Sequence, residues 1–336
     1  MFSPENLFRT PMLQATAWIE RYPVSEPDVK LDRIETGHGF GRIAVDADAI
    51  WVVNATSETV TRIDRRGDRV DSRAELHRHP AAIAIGTEAV WVLGANGWLW
   101  RFHADGEGEG VARLGRGARD LACDARSVWV LHGNGELVAV EGATGEVTIE
   151  VKIPRGGRQL LHTGDSLLAL TADGRRVCRI ATEDGAVEAE AKLPARGIRA
   201  VVHDGTLWVM CDRRISGRWG ALLPLDPATM SVGAPHELPT APRAIAAGDG
   251  HLWVACGRRG NKKSSVVRVE PNAGEITPWG ETDWTIYDLA VAGDELLAAT
   301  GLTLAGPAAG IADGGGGMGG GHHGGHHGGG GEGGGH

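Results

Sequence analysis

Residues 241–276 read APRAIAAGDGHLWVACGRRGNKKSSVVRVEPNAGEI and contain the pattern that decides the fold. Apolar residues alternate through Ile245–Ala247, a Gly-Asp-Gly turn follows, and the next apolar segment holds Trp253. A third segment, Val266–Val269, is apolar at its ends with Arg268 inside, and Asn-Ala-Gly-Glu follows. Short segments of two-residue alternation between Gly, Asp and Asn turns are typical of antiparallel strands. We predict a four-stranded antiparallel unit here.

The same phrase recurs along the chain at a nearly constant interval. The central position of its second strand is occupied by Trp51, Trp91, Trp129, Leu168, Trp208, Trp253 and Leu297. Successive members are 40, 38, 39, 40, 45 and 44 residues apart. A period of about 40–45 residues is that of a β-propeller blade. The sequence therefore predicts an all-β, seven-bladed β-propeller, in which the recurring Trp fills the space between adjacent sheets.

The two ends of the chain complement each other. After Leu297 the sequence shows no convincing third or fourth strand, whereas Ile19–Tyr22 matches the third-strand pattern and Val29–Glu35 is suited to a fourth. We predict that the N-terminal segment completes the last blade, since closure pairs the sheet edges that an open ring would expose. One or two strands would do so, and residues 301–313 remain an alternative source of the third strand. The predicted domains are an extension, 1–15, the propeller, 16–312, and a tail, 313–336.

The tail consists almost entirely of glycine and histidine. So little apolar surface cannot offset chain entropy, so we predict that it is disordered. Imidazole binds Ni, Zn and Cu, and His-rich tracts are typical metal binders. The predicted ligands of such a divalent metal are His322, His323, His326, His327 and His336. A purification tag, a solubilising spacer and a substrate for another protein are alternative interpretations.

Charge and cysteine content exclude several classes of protein. A net charge of −9 disfavours binding to nucleic acid or to an anionic membrane. The N-terminus has no secretion signal and no segment is long and apolar enough to span a membrane, so we expect a cytoplasmic protein. The four cysteines have no metal-ligand spacing and are expected to be reduced and buried. The sequence does not specify the oligomeric state.

Arginines recur where the predicted first strands begin. Aligning the seven first strands places at one position Gly41, Ala81, Arg119, Arg158, Arg199, Arg243 and Tyr287. In a propeller, this end of the first strand and the end of the second lie on one face around the channel mouth, which we call the top face. Two loops after second strands add Arg213, Arg214, Arg258 and Arg259.

The planar fork of arginine suits carboxylate and phosphate. We therefore predict a basic top face that binds an anionic small molecule or an acidic protein surface, and we expect the R158A/R199A variant to lose that binding. In the alternative interpretation, each arginine pairs with a neighbouring acid such as Asp120 or Asp212, or stacks on a Trp.

The repeated phrase, represented best by residues 241–276, resembles the blades of the YVTN and virginiamycin B lyase group of β-propellers over residues 39–300. The resemblance implies the propeller fold. For activity it implies a lyase that opens a macrocyclic depsipeptide with Mg²⁺, a histidine and acidic residues. The first strands here mostly begin with Arg where that histidine is expected, and the nearest candidates are His77 and His79.

Three classes of function follow. The first is a non-enzymatic binding or scaffold propeller with a basic top face and a metal-binding tail. The second is a lyase or hydrolase acting at the channel mouth, for which the candidate acids and bases are His132, His162, His203, Asp120 and Asp288. The third is a carrier of a modified tail. A soft-metal site is a further hypothesis, since His132, Cys211 and Cys256 each stand three residues after the central position of their second strand.

Overall fold

The computed structural model describes residues 16–26, 29–39, 41–66, 69–76, 79–212, 220–257 and 263–301. All regular elements in these ranges are β-strands. The first two are β1 (Thr16–Pro23) and β2 (Asp32–His38). Twenty-seven more follow, and the strands form seven antiparallel sheets that we call blades.

Blades 1 to 3 each take four consecutive strands. Blade 1 contains β3 (Gly41–Val45), β4 (Ala49–Asn54), β5 (Thr59–Asp64) and β6 (Arg69–Glu75). Blade 2 contains β7 (Pro80–Ile85), β8 (Val90–Gly94), β9 (Trp98–Phe102) and β10 (Gly108–Arg113). Blade 3 contains β11 (Ala118–Cys123), β12 (Ser127–His132), β13 (Glu136–Glu141) and β14 (Val147–Lys152).

Blades 4 to 6 repeat this order. Blade 4 contains β15 (Gly157–Thr163), β16 (Ser166–Thr171), β17 (Arg176–Ala181) and β18 (Val187–Lys192). Blade 5 contains β19 (Gly197–His203), β20 (Thr206–Cys211), β21 (Ala221–Asp226) and, in place of one fourth strand, β22 (Ser231–Val232) and β23 (His236–Glu237). Blade 6 contains β24 (Pro242–Gly248), β25 (His251–Cys256), β26 (Ser264–Val269) and β27 (Ile276–Thr282).

Blade 7 joins the two ends of the propeller. Its inner strands are β28 (Thr285–Ala292) and β29 (Glu295–Gly301), and its outer strands are β1 and β2, in the order β28-β29-β1-β2. Two N-terminal strands therefore close the ring, which confirms the predicted closure. Arg21 of β1 lies opposite Leu297 of β29 and forms an ion pair with Glu295 at 2.7 Å.

The core lies between blades rather than within one. The second strand of each blade is almost fully buried, as in the six buried residues of β4, whereas all residues of a fourth strand such as β6 are exposed or half-buried. Seven clusters of buried apolar side chains each combine residues of two neighbouring blades. One cluster for each junction around the ring is the packing expected of a closed seven-bladed propeller.

The recurring Trp has the predicted structural role. Trp129 is 0% exposed and packs in the cluster between blades 3 and 4. Its indole Nε1 donates to Asp124 at 2.7 Å, and the same carboxylate accepts the backbone N–H groups of Arg126 and Ser127. Asp46 holds Trp51 in the same way, with a donor–acceptor distance of 2.8 Å. A short acidic turn thus orients a large ring that joins two blades.

The described ranges contain no helix of the length and apolar character needed to cross a membrane. Residues 1–15 and the tail, including all five predicted metal-binding histidines, lie outside them. The four cysteines form no disulfide. Burial raises the pKa of the Cys178 thiol to about 11 and of the Cys211 and Cys256 thiols to about 12, so they remain neutral thiols.

Candidate functional site

The strand registers place the predicted site residues around the mouth of the central channel. In each blade the start of the first strand pairs with the end of the second, as Ala118 pairs with His132 and Pro242 with Cys256. Both ends therefore lie on the top face, as predicted. His132 is buried there and, among the described residues, no group of three or more His, Cys, Asp or Glu side chains is arranged to hold a metal ion.

Three of the predicted arginines occupy β-bulges. In blades 3, 4 and 6 the register between the first and second strands skips one residue, and these extra residues are Arg119, Arg158 and Arg243. Tyr287 occupies the same place in blade 7. A bulge leaves its extra residue out of the ladder and re-aims its side chain. We call Arg119, Arg158 and Arg243 the mouth arginines.

Each mouth arginine lies along the loop that follows the second strand of its own blade. Arg158 Nη2 donates to the Ala172 carbonyl at 3.0 Å, and Arg243 Nε donates to the Gly257 carbonyl at 3.4 Å. A Cβ placed on Gly133 would lie 3.0 Å from Arg119 Nε. The three loop residues are equivalent, because each stands four positions after the central residue of its second strand. The mouth arginines therefore share one environment in three blades.

Arg199 does not belong to this set, which corrects the predicted alignment. The extra residue of blade 5 is Ile198, and Arg199 pairs with Met210 inside the ladder. Arg42, which the alignment placed one residue out of register, is in the same ladder position in blade 1, opposite Val53. Other blades fill this position with Asp120, Gln159 and Asp288. We call these five residues the girdle.

The girdle contains two ion pairs with the same spacing around the ring. Arg199 of blade 5 contacts Asp288 of blade 7 through Nη1 and Oδ1 at 2.8 Å. Arg42 of blade 1 faces Asp120 of blade 3, with Nη1 3.8 Å from Oδ1. Each pair passes over a blade that has alanine in the equivalent position, Ala244 in blade 6 and Ala82 in blade 2. The small side chains leave room for contacts between blades that are not neighbours.

The girdle also binds the backbone of the next blade. Asp120 accepts the N–H of Leu160 at 2.9 Å, and Asp288 accepts the N–H of Ile43 at 3.1 Å. The Gln159 amide accepts from Ala200 N at 2.7 Å and donates to Ala200 O at 2.9 Å. Side chains of the inner strands therefore satisfy backbone groups across three blade junctions. This arrangement stabilises the ring, and sequence reasoning did not find it.

Burial and mutual charge set the ionisation of the girdle. Burial, with the neighbouring charge of Arg199, lowers the pKa of Arg42, although Asp120 and Asp288 act against the shift. The Arg42 side chain is 39% exposed and that of Arg199 21%, so solvent screens the Arg42 ion pair more than the Arg199 one. Burial raises the pKa of the Asp120 carboxyl, and the charge of Arg42 opposes that shift.

The remaining basic residues of the top face differ in their surroundings. Arg196 forms an ion pair with Asp212 at 3.2 Å, as the alternative interpretation predicted for this type of contact. Arg155 is exposed, with a φ of 65°, and with Lys152 it lines an open groove of about 590 Å³ between the loop after β12 and the connection from blade 3 to blade 4. The loop residues Arg213, Arg214, Arg258 and Arg259 lie outside the described residues, as does His77.

Acidic turns surround the channel on the opposite face. The turn between the first and second strands contains an acidic residue in every blade, namely Asp46, Glu88, Asp124, Asp165, Asp204, Asp249 and Asp294. These seven turns all lie in the described ranges, and Arg126 of blade 3 is the one Lys or Arg among their residues. The channel end opposite the top face is therefore surrounded by acidic turns.

Comparison with solved structures identifies the same architecture. The chain is similar to hydrazine synthase of Kuenenia stuttgartiensis (TM-score 0.61, 13% identity, 76% of this chain and 90% of that chain). It is also similar to the Pan2 WD40 domain of Neurospora crassa (0.60, 10%, 79% and 90%) and to BamB of Moraxella catarrhalis (0.55, 14%, 77% and 93%). At these identities the likeness shows a β-propeller and nothing finer. No protein-family model and no curated protein matches the sequence.

Proposed function

We propose that this protein is a binding propeller whose top face captures a small multivalent oxyanion, carrying phosphate or carboxylate groups, at the mouth arginines. The observation that carries the proposal is the equivalent placement of Arg119, Arg158 and Arg243 on first-strand bulges. Three guanidinium groups around one opening can donate to several oxygens of the same ligand. The acidic turns on the opposite face favour approach of an anion from the top.

The groove between the loop after β12 and the connection from blade 3 to blade 4 supports the same conclusion. Lys152 and Arg155 line it together with Gly133, the residue against which Arg119 lies. A left-handed φ at a non-glycine residue costs about 1–3 kcal/mol, and in this protein it also occurs at turn residues such as Asp204 and Asp249. Arg155 holds that conformation while its side chain is exposed. An oxyanion bound at Arg119 would therefore also lie near the positive charges of Lys152 and Arg155.

Two finer assignments belong to the proposal. We propose that the blades are related to those of the YVTN and virginiamycin B lyase group, on the strength of the phrase in residues 241–276. We also propose that His322, His323, His326, His327 and His336 bind Ni, Zn or Cu. Calorimetry with each metal on the full chain and on a chain ending at residue 312 tests the tail, and equal heats from both would contradict it.

The mouth site is tested by calorimetry with pyrophosphate and citrate, at low ionic strength, on the R119Q/R158Q/R243Q variant. We expect pyrophosphate affinity at least a hundredfold below that of the unmodified protein, since each hydrogen bond to a charged group contributes about 1.5–3 kcal/mol. An acidic peptide in place of pyrophosphate tests the acidic-partner alternative.

The control is R66Q/R69Q/R126Q, which removes the same charge from exposed residues away from the mouth. Its affinity for pyrophosphate should be within about threefold of that of the unmodified protein. The threefold allowance covers the long-range effect of the removed charge, which salt screens only partly at low ionic strength. Equal losses of pyrophosphate affinity in the two variants would mean that net charge, rather than the mouth arginines, attracts the anion, and would contradict the proposal. Unchanged affinity in the mouth variant would contradict it as well.

A further inference from the structure

Cationic side chains end the fourth strands of three successive blades. Arg113, Lys152 and Lys192 are the last residues of β10, β14 and β18, in blades 2, 3 and 4. Each lies opposite the first residue of its third strand, as Lys152 lies opposite Glu136, so all three stand at the outer rim of the top face. The fourth strands of the other blades end at residues other than Lys and Arg.

Three further cations stand beside these strand ends. Arg116 and Arg155 lie in the connections that leave blades 2 and 3, and Arg175 directly precedes β17 of blade 4. All six side chains are exposed. We call them the basic arc: Arg113, Arg116, Lys152, Arg155, Arg175 and Lys192. Because the blades radiate from the channel, the basic arc is wider than the mouth and follows one side of the top face.

The charges of the basic arc have no ion-pair partners. Within the described ranges, none of its six side chains forms a hydrogen bond or an ion pair. Acidic residues beside it are engaged with other groups. Glu190 of β18 pairs with Arg176 at 3.0 Å, and Asp173, near Arg175, accepts from the Thr171 hydroxyl at 2.7 Å. The basic arc therefore presents positive charge that is open to an anionic partner.

Exposed apolar groups alternate with these cations. Pro154 and Pro194 hold equivalent places in the connections that leave blades 3 and 4, and both are exposed. Each follows by two residues the cation that ends its fourth strand, Lys152 or Lys192. A polypeptide offers both carboxylates and aliphatic side chains to such a surface, whereas a nucleic acid or a polyphosphate carries a charge at every phosphate. The alternation favours a polypeptide.

We propose that the basic arc binds an extended, acidic segment of a partner protein, whose carboxylates pair with the arc cations and whose aliphatic side chains pack on Pro154 and Pro194. Exposed ion pairs each contribute little affinity, so the segment gains through their number and through faster, salt-dependent association. The inference is independent of the oxyanion site at the mouth, because none of the mouth arginines belongs to the basic arc.

The test compares two labelled peptides of equal length and charge, four repeats of Glu-Glu-Leu and four repeats of Glu-Glu-Ser, titrated into the full-length protein by fluorescence anisotropy. The leucine peptide should bind about fivefold more tightly, since partial burial of its side chains on the prolines adds to the charge interactions. Its affinity should fall at least about tenfold when the ionic strength rises from about 0.1 M to about 0.5 M. Equal affinity of the two peptides, or no effect of salt, would overturn the proposal.

Other polyanions are compared in the R119Q/R158Q/R243Q variant, which lacks the mouth arginines. A polyphosphate and a single-stranded RNA, each with as many phosphates as the leucine peptide has residues, should bind more weakly than that peptide. Tighter binding of either one would assign the basic arc to that polyanion and overturn the acidic-segment proposal.

A variant of the basic arc locates the binding. R113Q/R175Q/K192Q changes arc residues that do not line the groove beside the mouth. It should bind the leucine peptide about tenfold more weakly, the factor expected for three exposed ion pairs. R66Q/R69Q/R126Q removes the same charge from exposed residues outside the basic arc and should change the affinity by less than about threefold. Equal losses in the two variants would overturn the proposal.

The same variants separate the basic arc from the mouth. R113Q/R175Q/K192Q should keep its pyrophosphate affinity, and R119Q/R158Q/R243Q its affinity for the leucine peptide, each within about threefold. Loss of peptide binding in the mouth variant would place the peptide at the mouth and overturn the arc proposal. If pyrophosphate binding is unchanged in the mouth variant while the peptide responds to the arc variant, the mouth proposal fails and the arc proposal stands. Should the arc variant fail to fold, the comparison of the two peptides on the unmodified protein still decides the matter.

Discussion

Arg158 and Arg199 begin the first strands of successive blades, yet the structure gives them different roles. Arg158 is the extra residue of a bulge and donates to the loop of its own blade, at Ala172. Arg199 is inside the ladder and reaches across the channel to Asp288, 89 residues away in the sequence. One residue of register separates an arginine that lies at the mouth from one that holds the ring together. The same residue type therefore predicts neither role until its register is known.

The largest expected effect is on stability. Arg199→Met should reduce the free energy of unfolding by about 3 kcal/mol, because it leaves the carboxylate of Asp288, which is 4% exposed, without its ionic partner. Arg158→Met removes a hydrogen bond to the loop carbonyl of Ala172 and should lower it by about 1 kcal/mol. Denaturant unfolding of the two variants measures both values. Similar losses of unfolding free energy in the two variants would contradict the distinction between the mouth and girdle arginines.

Arg42→Met provides a second comparison within the girdle. Its ion pair is longer than that of Arg199, 3.8 Å against 2.8 Å, and Arg42 is more exposed. We expect a loss of about 1 kcal/mol, nearer to that of a surface pair than of a buried one. A loss as large as that of Arg199→Met would contradict this ranking of the two ion pairs.

The smallest effect is a pH dependence. Burial raises the pKa of Asp120 in the folded protein above its unfolded value of about 3.9, so the folded state binds this proton more tightly. Stability supplied by protonated Asp120 is present below the unfolded pKa and is lost as pH rises through the folded pKa. Asp120→Asn keeps an acceptor for the Leu160 N–H and should lose that dependence.

Urea unfolding of Asp120→Asn and of the unmodified protein across this pH range measures the difference. The stability of the variant relative to the unmodified protein should rise with pH through the window and then remain constant. A difference that does not change with pH, or that falls, would contradict the assignment to Asp120.

Much of the fold could be predicted because each blade carries its own signals. The spacing of Trp51, Trp91 and Trp129 gave the blade period, and the Arg21 segment matched the third-strand pattern closely enough to predict ring closure. Both follow from local alternation and turn residues. The number of closing strands was left open, because residues 301–313 were an alternative source of the third strand. The pairing of β1 with β29 and with β2 shows that both closing strands come from the N-terminal segment.

The site was only partly predictable. The mouth arginines could be predicted because Leu121, Leu160 and Ile245 show where the apolar core of each first strand begins. In blade 5, Ala200-Val201-Val202 fits two frames equally well, and the wrong one placed Arg199 at the mouth. A bulge adds one residue without changing the local pattern, so composition cannot locate it. The pairs of the girdle join blades that are distant in the sequence, and only the closed ring brings them together.

The central claim is that the bulge position of a first strand places an arginine at the anion site. Ile198→Arg tests it most directly, because it puts an arginine on the bulge of blade 5 and leaves Arg199 in the girdle. Calorimetry with pyrophosphate should show about tenfold tighter binding than in the unmodified protein, the effect of one further charge-assisted hydrogen bond. Unchanged or weaker binding by a variant that melts at the same temperature as the unmodified protein would contradict the account.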